Sequence, residues 1–258
     1  MTGQATPDRT VLKISGADTT DFLQGLVTND IGRADNGLIY AALLSPQGKY
    51  LADFFLARDP LPQRGDASIL LDVKTEFAAA LARRLAMYRL RAKVAIEATD
   101  IAVTRGLGSQ PAGALADPRH PALGWRHYGE TPSALSTIDW DALRVAHVIP
   151  ETGIELIPDE SYILEAGFDR LHGVDFRKGC YVGQEVTARM KHKTELRKGL
   201  VQVVVEGAAP VNTPITTADG KDAGALYTQS GGRGIAYLRI DRARGPMRAG
   251  SASVNWKG

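Results

Sequence analysis

Apolar positions fall into short blocks whose period changes from element to element. Residues 10–15 carry Val11, Leu12 and Ile14 and predict a short strand. Asp18 stands where it would cap a helix whose apolar side is Phe22, Leu23, Leu26 and Val27, ending near Asn29 and Gly32. Residues 39–44 and 50–58 are apolar runs on either side of Ser45-Pro46-Gln47-Gly48, turn chemistry that predicts a β-hairpin. Residues 68–73 predict a further strand. Over residues 74–90, Phe77, Leu81, Leu85 and Tyr88 share one helical face, with Arg83 and Arg84 opposite. Strand character returns at 93–98 and 101–104.

The pattern then weakens. Residues 106–136 are rich in Gly, Pro, Ala and His without a period, and predict a loop region or insertion with one short strand near Trp125. Residues 138–148 predict a helix stopped by Pro150 and Gly153. Val186, Ala188 and Met190 alternate with Thr187, Arg189 and Lys191, which predicts a half-buried strand with its basic side outward. From Leu200 onward the pattern is all β, with turn residues at Asn212-Thr213-Pro214, Asp219-Gly220 and Gly231-Gly232. The expected organisation is an α+β body over 1–105, a loop region over 106–136, a second α+β part over 137–197 and a β domain over 198–258.

Composition narrows the class. The chain has 258 residues, 44% hydrophobic and 23% charged, a balance that can fill a core and excludes disorder or coiled coil as the main architecture. No apolar run approaches the roughly 20 residues that span a bilayer, and the opening MTGQATPDRT has no apolar signal core. One cysteine, Cys180, excludes internal disulfides and any self-contained cysteine cluster, and a reduced cytoplasmic compartment is the expectation. The five histidines show no metal-binding spacing, so no metal ligand is assigned. Net charge is only +2, yet residues 177–198 hold seven Lys or Arg against two Glu. That stripe is either a solvated face or a docking surface for an anion such as a carboxylate tail. Aromatics other than Tyr181 are missing from it, so base stacking is not expected.

The most informative segment is Arg177-Lys178-Gly179-Cys180-Tyr181-Val182-Gly183-Gln184-Glu185. An isolated cysteine is most often a small buried hydrophobe. Here two glycines allow a tight backbone around it, and neighbouring cations favour the thiolate, which is the nucleophile and metal ligand. From the local sequence alone both readings of Cys180 stand.

KGCYVGQE resembles the signature of the YgfZ family of folate-binding proteins, which are similar to the glycine-cleavage T-protein and act in iron–sulfur cluster maturation. The resemblance extends to ISGADTTDFLQGLVTNDI, AALLSPQGKYLADFFL, YRLRAKVAI and HVIPETG. It implies a T-protein-like ring of two interleaved α+β parts with a C-terminal antiparallel β-barrel, and a bound tetrahydrofolate. Residue by residue, it implies pteridine binding by Glu165, whose carboxylate can accept from the paired donors of a pterin edge. It sets Asp53 where T-proteins use an aspartate at the folate nitrogen, and Gln184 where they usually carry arginine. Cys180 has no counterpart there.

Cys180 and Asp53 are therefore the candidate catalytic residues. Glu165, Lys178, Tyr181, Gln184 and Arg189 are the candidate folate contacts. Each also has a plain reading: Asp53 as a surface strand carboxylate, Glu165 on an exposed turn, Lys178 and Arg189 in solvent, Tyr181 as core filling. The implied function is a tetrahydrofolate-binding helper of iron–sulfur assembly or repair, with assembly proteins or client enzymes as partners; the alternative is a folate-dependent aminomethyltransferase or other one-carbon transferase. Neither a membrane nor a nucleic acid is an expected partner.

Overall fold

The computed structural model describes residues 2–60, 68–129, 137–192 and 196–258. Its contacts gather into two units, each made of two separate stretches: Met1–Ile138 with Asp169–Gln184, and Asp139–Phe168 with Glu185–Gly258. A cut at 197/198 therefore describes where the barrel strands start but not how the chain partitions, because a stretch before the cysteine motif joins the barrel and the motif itself joins the N-terminal unit.

The first unit contains β1 (Thr2–Ala5), β2 (Arg9–Ser15), α1 (Thr19–Gln24), β3 (Ile39–Leu44), β4 (Tyr50–Arg58), β5 (Ile69–Lys74), α2 (Thr75–Tyr88), β6 (Ala95–Ala98), β7 (Val103–Leu107), β8 (Leu115–Ala116) and β9 (Trp125–Tyr128). The Ser45–Gly48 turn closes the expected hairpin, with Ile39 opposite Leu56 and Leu44 opposite Tyr50. Five strands form an antiparallel sheet in the order β3-β4-β5-β2-β6. β3 is buried along its whole length and β4 along all but its last residue, as strands covered on both faces must be.

The two faces of this sheet differ in chemistry. On one, Leu12, Ile14, Leu43, Phe54, Leu56 and Leu71 pack with Leu23 of α1 and with Leu81 and Leu85 of α2. The other carries Tyr40, Asp53, Phe55 and Asp72, all buried. Asp72 binds the Arg9 and Arg126 guanidiniums at 2.6 and 2.9 Å and takes the Tyr128 hydroxyl at 3.0 Å. Arg119 pairs with Asp117 at 2.8 Å. The guanidinium carbons of Arg9, Arg119 and Arg126 lie 5.6, 4.8 and 3.8 Å from the Phe55 ring centre. Burial alone would raise the carboxyls of Asp72 and Asp117, but the arginines hold both below the usual carboxylate range.

Three local expectations are corrected. Helix α1 stops at Gln24 rather than near Asn29, and Asp18 holds its N-cap position without a side-chain cap bond; its carboxylate instead accepts the Lys93 backbone N–H at 2.7 Å. The segment expected to be a loop with one short strand near Trp125 supplies that strand, β9, and also β8, and a second antiparallel sheet runs β1-β7-β9-β8. Trp125 and Arg126 are buried there, and Gly124, at φ +64°, allows an approach in which a Cβ would stand 2.1 Å from the Gly106 carbonyl oxygen. Residues 130–136 of that segment lie outside the described residues. The expected basic strand at 186–191 is a helix, α4 below.

The second unit contains α3 (Trp140–His147), capped by Asp139 accepting from the Ala142 N–H at 2.9 Å, and α4 (Gln184–His192), whose remaining residues beyond Gln184 belong to this unit. Gln, Glu, Ala, Arg, Met and Lys are good helix formers, and Val186 and Met190 stand four apart on one helical face, so propensity overrides the apparent two-residue period. The strands β10 (Lys198–Glu206), β11 (Thr213–Thr217), β12 (Asp222–Ser230), β13 (Arg233–Arg239), β14 (Met247–Ala249) and β15 (Ala252–Asn255) close into a barrel in the order β10-β13-β12-β11-β14-β15. Val203, Ile215, Leu226, Leu238, Met247 and Val254 fill it. No described helix is long and apolar enough to cross a membrane.

Candidate functional site

The cysteine motif is a loop with a buried base and an exposed tip. Its approach is bound to the segment after α1. The Thr28 hydroxyl donates to the Gly173 carbonyl at 2.6 Å, and the Asn29 amide donates to the carbonyls of Tyr40 and His172 at 2.8 and 2.7 Å. Asp175 pairs with Arg33 at 2.5 Å and accepts the Arg177 N–H at 2.7 Å. The Thr28–Gly173, Asn29–His172 and Arg33–Asp175 contacts each join positions more than 140 residues apart.

Lys178 then turns inward. Its ammonium donates to the carbonyl of Gln24 at 2.7 Å, which the ending helix α1 leaves without an intrahelical partner, and to that of Val27, three residues beyond the helix, at 2.5 Å; it lies 5.0 Å from the centre of the Tyr181 ring. Burial pulls the Lys178 ammonium down from 10.5 to about 8, with Asp30 and Asp175 acting in the opposite direction. Gly183, at φ +82°, rests on the hairpin turn so closely that a Cβ would lie 2.6 Å from the Ser45 carbonyl oxygen. Between these anchors Cys180 is exposed, beside exposed Phe176 and Arg177.

Two expectations change. Lys178 is neither a solvent cation nor an available folate contact, because its ammonium is spent on peptide carbonyls. Tyr181 is buried at 7% exposure, with that ammonium over its ring, which is packing rather than a platform for a ligand. Gln184 is half-buried at the start of α4, its N–H donating to the Tyr181 carbonyl at 3.2 Å, and Arg189 is exposed on α4. The basic stripe thus loses Lys178 from its accessible charge, and residues 193–195 of it lie outside the described residues.

Asp53 is not a surface carboxylate. It is 6% exposed on β4 and accepts the hydroxyls of Tyr40 and Tyr50 at 2.8 and 2.7 Å. Burial, reinforced by the Asp53 charge, raises the Tyr40 phenol well above 10. The tyrosine therefore stays a hydrogen-bond donor to that carboxylate.

Glu165 belongs to the second unit, where it lines a cavity of about 230 Å³ with Glu155, Glu160, Tyr162, Tyr227 and Tyr237 among its walls. Its Oε2 accepts the Tyr237 hydroxyl at 2.6 Å, and its backbone carbonyl accepts the Leu200 N–H at 2.8 Å, which fixes the side chain relative to the barrel. Burial, with Glu165 second, raises the Tyr237 phenol. Glu155 is committed to Arg144 and to the Thr228 hydroxyl at 2.6 Å. The lining is rich in acceptors, so it suits a ligand whose buried edge donates. Sequence reasoning found Glu165 but missed Tyr227, Tyr237 and Glu160, and it missed Thr28 and Asn29 as braces of the cysteine loop. The signal for the last two was present in the TND of the N-terminal stretch.

Among solved structures, the glycine cleavage system aminomethyltransferase T from Bartonella henselae covers 99% of this chain and 85% of its own, with a TM-score of 0.75 at 13% identity. The protein is thus of the T-protein fold class, mixed α and β with a closed six-stranded C-terminal barrel. Residues 197–257 match the family described as CAF17, C-terminal beta-barrel domain. The mitochondrial iron-sulfur cluster assembly factor IBA57 homolog of Mycosarcoma maydis is 32% identical over 309 residues, spanning 97% of this chain and 77% of the relative. Mitochondrial IBA57 of Homo sapiens is 32% identical over 278 residues, spanning 93% and 78%.

The chain belongs to the IBA57 family, and the resemblance to YgfZ reflects a related family. The expectation of a cytoplasmic compartment is overturned by the same comparison, since these relatives are named as mitochondrial.

Proposed function

We propose that the protein assists assembly or repair of iron–sulfur clusters on client proteins, in the setting that its mitochondrial relatives' names give, and that it does so as a reduced-folate-binding protein. The observation that carries this reading is the exposed Cys180 on a loop braced at its base. A thiolate is a ligand for iron and an acceptor for sulfur. One cysteine supplies one ligand, whereas a cluster needs about four, so the remaining ligands come from the client or an assembly partner. Holding the cluster only in part suits transfer, because nothing on this chain competes for all its iron sites.

Support for folate comes from the second unit. Glu165 would hold the donor edge of the pterin, and Tyr227 and Tyr237 would line the ring. The cavity, about 230 Å³, is small for a whole folate and fits its ring system. Bound there, a reduced folate supplies a carrier for one-carbon units. Arg189, exposed on α4 of the same unit, remains a candidate for the glutamate tail.

The experiment is complementation. In cells lacking their own family member, the wild-type chain should restore a client iron–sulfur enzyme, and Cys180→Ala should not, while still binding tetrahydrofolate by calorimetry. Normal client activity with Cys180→Ala would refute the role given to the cysteine. A one-carbon transferase remains the competing reading and rests on Asp53, a buried carboxylate held by two phenols. It requires aminomethyl transfer by the purified protein that disappears in Asp53→Asn.

A further inference from the structure

Helix α2 buries Ala78, Leu81 and Leu85 in the sheet core, yet its C-terminal end breaks the usual logic of a solvated helix terminus. Met87 is 67% exposed and Leu90 is 90% exposed. Leu90 also adopts φ +42°, the left-handed position after a helix that glycine or asparagine normally fills. A leucine there carries backbone strain and leaves its side chain in water, so folding alone gives no reason for it.

Charge makes the place more unusual. From Phe77 to Ile96 the sequence has five cations and no carboxylate. Arg83, Arg89, Arg91 and Lys93 are exposed, and none of the five forms an ion pair among the described residues. Arg89 donates to the Val94 carbonyl at 3.3 Å, and Asp18 approaches only the backbone of Lys93. The helix dipole favours cations at this end within about one turn, but it has no use for Met87 and Leu90.

We propose that the end of α2, centred on Met87 and Leu90 within this ring of cations, docks an acidic protein partner. Arginine and methionine are enriched at protein interfaces, and an apolar centre with a charged rim is their usual layout. A nucleic acid would want exposed rings to stack on, and Tyr88 is instead packed partly into the core. A lipid surface would want a whole apolar helix face, and that face of α2 is already buried. The patch is small, which suits a partner that binds and leaves.

The inference does not use the cysteine or the folate reading; it borrows only the client assay from the proposed function. Full-length protein carrying Met87→p-benzoylphenylalanine is irradiated in cells. The expected adduct is with a protein of acidic surface, and it falls at least tenfold when Arg83→Glu and Arg91→Glu are added. Adducts dominated by nucleic acid or lipid, or a protein adduct indifferent to those reversals, overturn the proposal.

In the complementation assay, Met87→Asp with Leu90→Asp should lose client support while the melting temperature and the Cys180 alkylation rate stay at wild-type values. Wild-type support by that folded variant also overturns it. Leu90→Gly separates docking from folding: relief of the left-handed strain should raise the melting temperature by roughly 2–4 °C. A fall in melting temperature would make Leu90 a folding residue and end the argument. Should the wild-type chain restore no client enzyme, the proposed function fails, and the cross-link still decides this one.

Discussion

The cysteine loop and the Glu165 cavity solve opposite problems with similar materials. In the loop, a buried cation and a close-packed glycine hold the base while one thiol stands in solvent. In the cavity, carboxylates and phenols are gathered inward and fixed by hydrogen bonds so that a small volume offers acceptors. The first is built to present, the second to enclose. The difference places the stability of the loop in residues that do no chemistry, whereas in the cavity the residues that would touch a ligand are themselves part of the hydrogen-bonded wall.

That contrast can be broken most sharply at Gly183. Gly183→Ala forces a Cβ against the Ser45 carbonyl at a positive φ and should cost on the order of 3 kcal/mol in urea unfolding, whereas wild-type stability would show that the loop is not braced there. Next comes Lys178→Met, which leaves the Gln24 and Val27 carbonyls without their donor and should cost about 2 kcal/mol at neutral pH.

The same pair of proteins carries a pH signature. Folded Lys178 releases its proton near 8, and in the unfolded chain the group holds it to about 10.5. Between those values the unfolded state binds more protons, so wild-type stability should rise relative to Lys178→Met as pH climbs from 8 toward 10.5. A difference that shrinks over that range contradicts the buried ammonium.

In the cavity, Glu165→Gln keeps an acceptor for Tyr237 but gives up the charge. It should lower tetrahydrofolate affinity about tenfold by calorimetry with under 1 kcal/mol lost in stability. An unchanged affinity removes Glu165 from the ligand. Cys180→Ser is the smallest effect: an exposed tip should change unfolding free energy by less than about 0.5 kcal/mol, and a larger loss would mean the thiol packs rather than presents.

Much of this was legible in advance where the local pattern and the final environment agree. The PQG hairpin, α2, α3 and the barrel strands each announce themselves within about ten residues, through turn chemistry, a helical face or the helix stop at Pro150 and Gly153. Strand β9 shows itself at Trp125, but the two-residue strand β8 does not, because Asp117 and Arg119 just after it are buried by pairing with each other rather than by being apolar, and hydrophobic period is blind to that. Helix α4 misleads for another reason, since Val186, Ala188 and Met190 fit a strand as well as a helix over so few residues. For Asp53, the sequence offered a carboxylate among apolar neighbours and could not tell that Tyr40 and Tyr50 would enclose it.

The sequence by itself determined the family motif, the lone thiol, the glycines around it and the order of most elements, because these depend on residue identity and near-neighbour spacing. Tertiary structure decided which way each polar side chain faces. Lys178 stands two residues from Cys180 in the chain, yet its ammonium finds carbonyls some 150 positions away, one at the end of helix α1 and one just beyond it. Only the folded backbone sets those oxygens where burying the charge is preferable to leaving it in water.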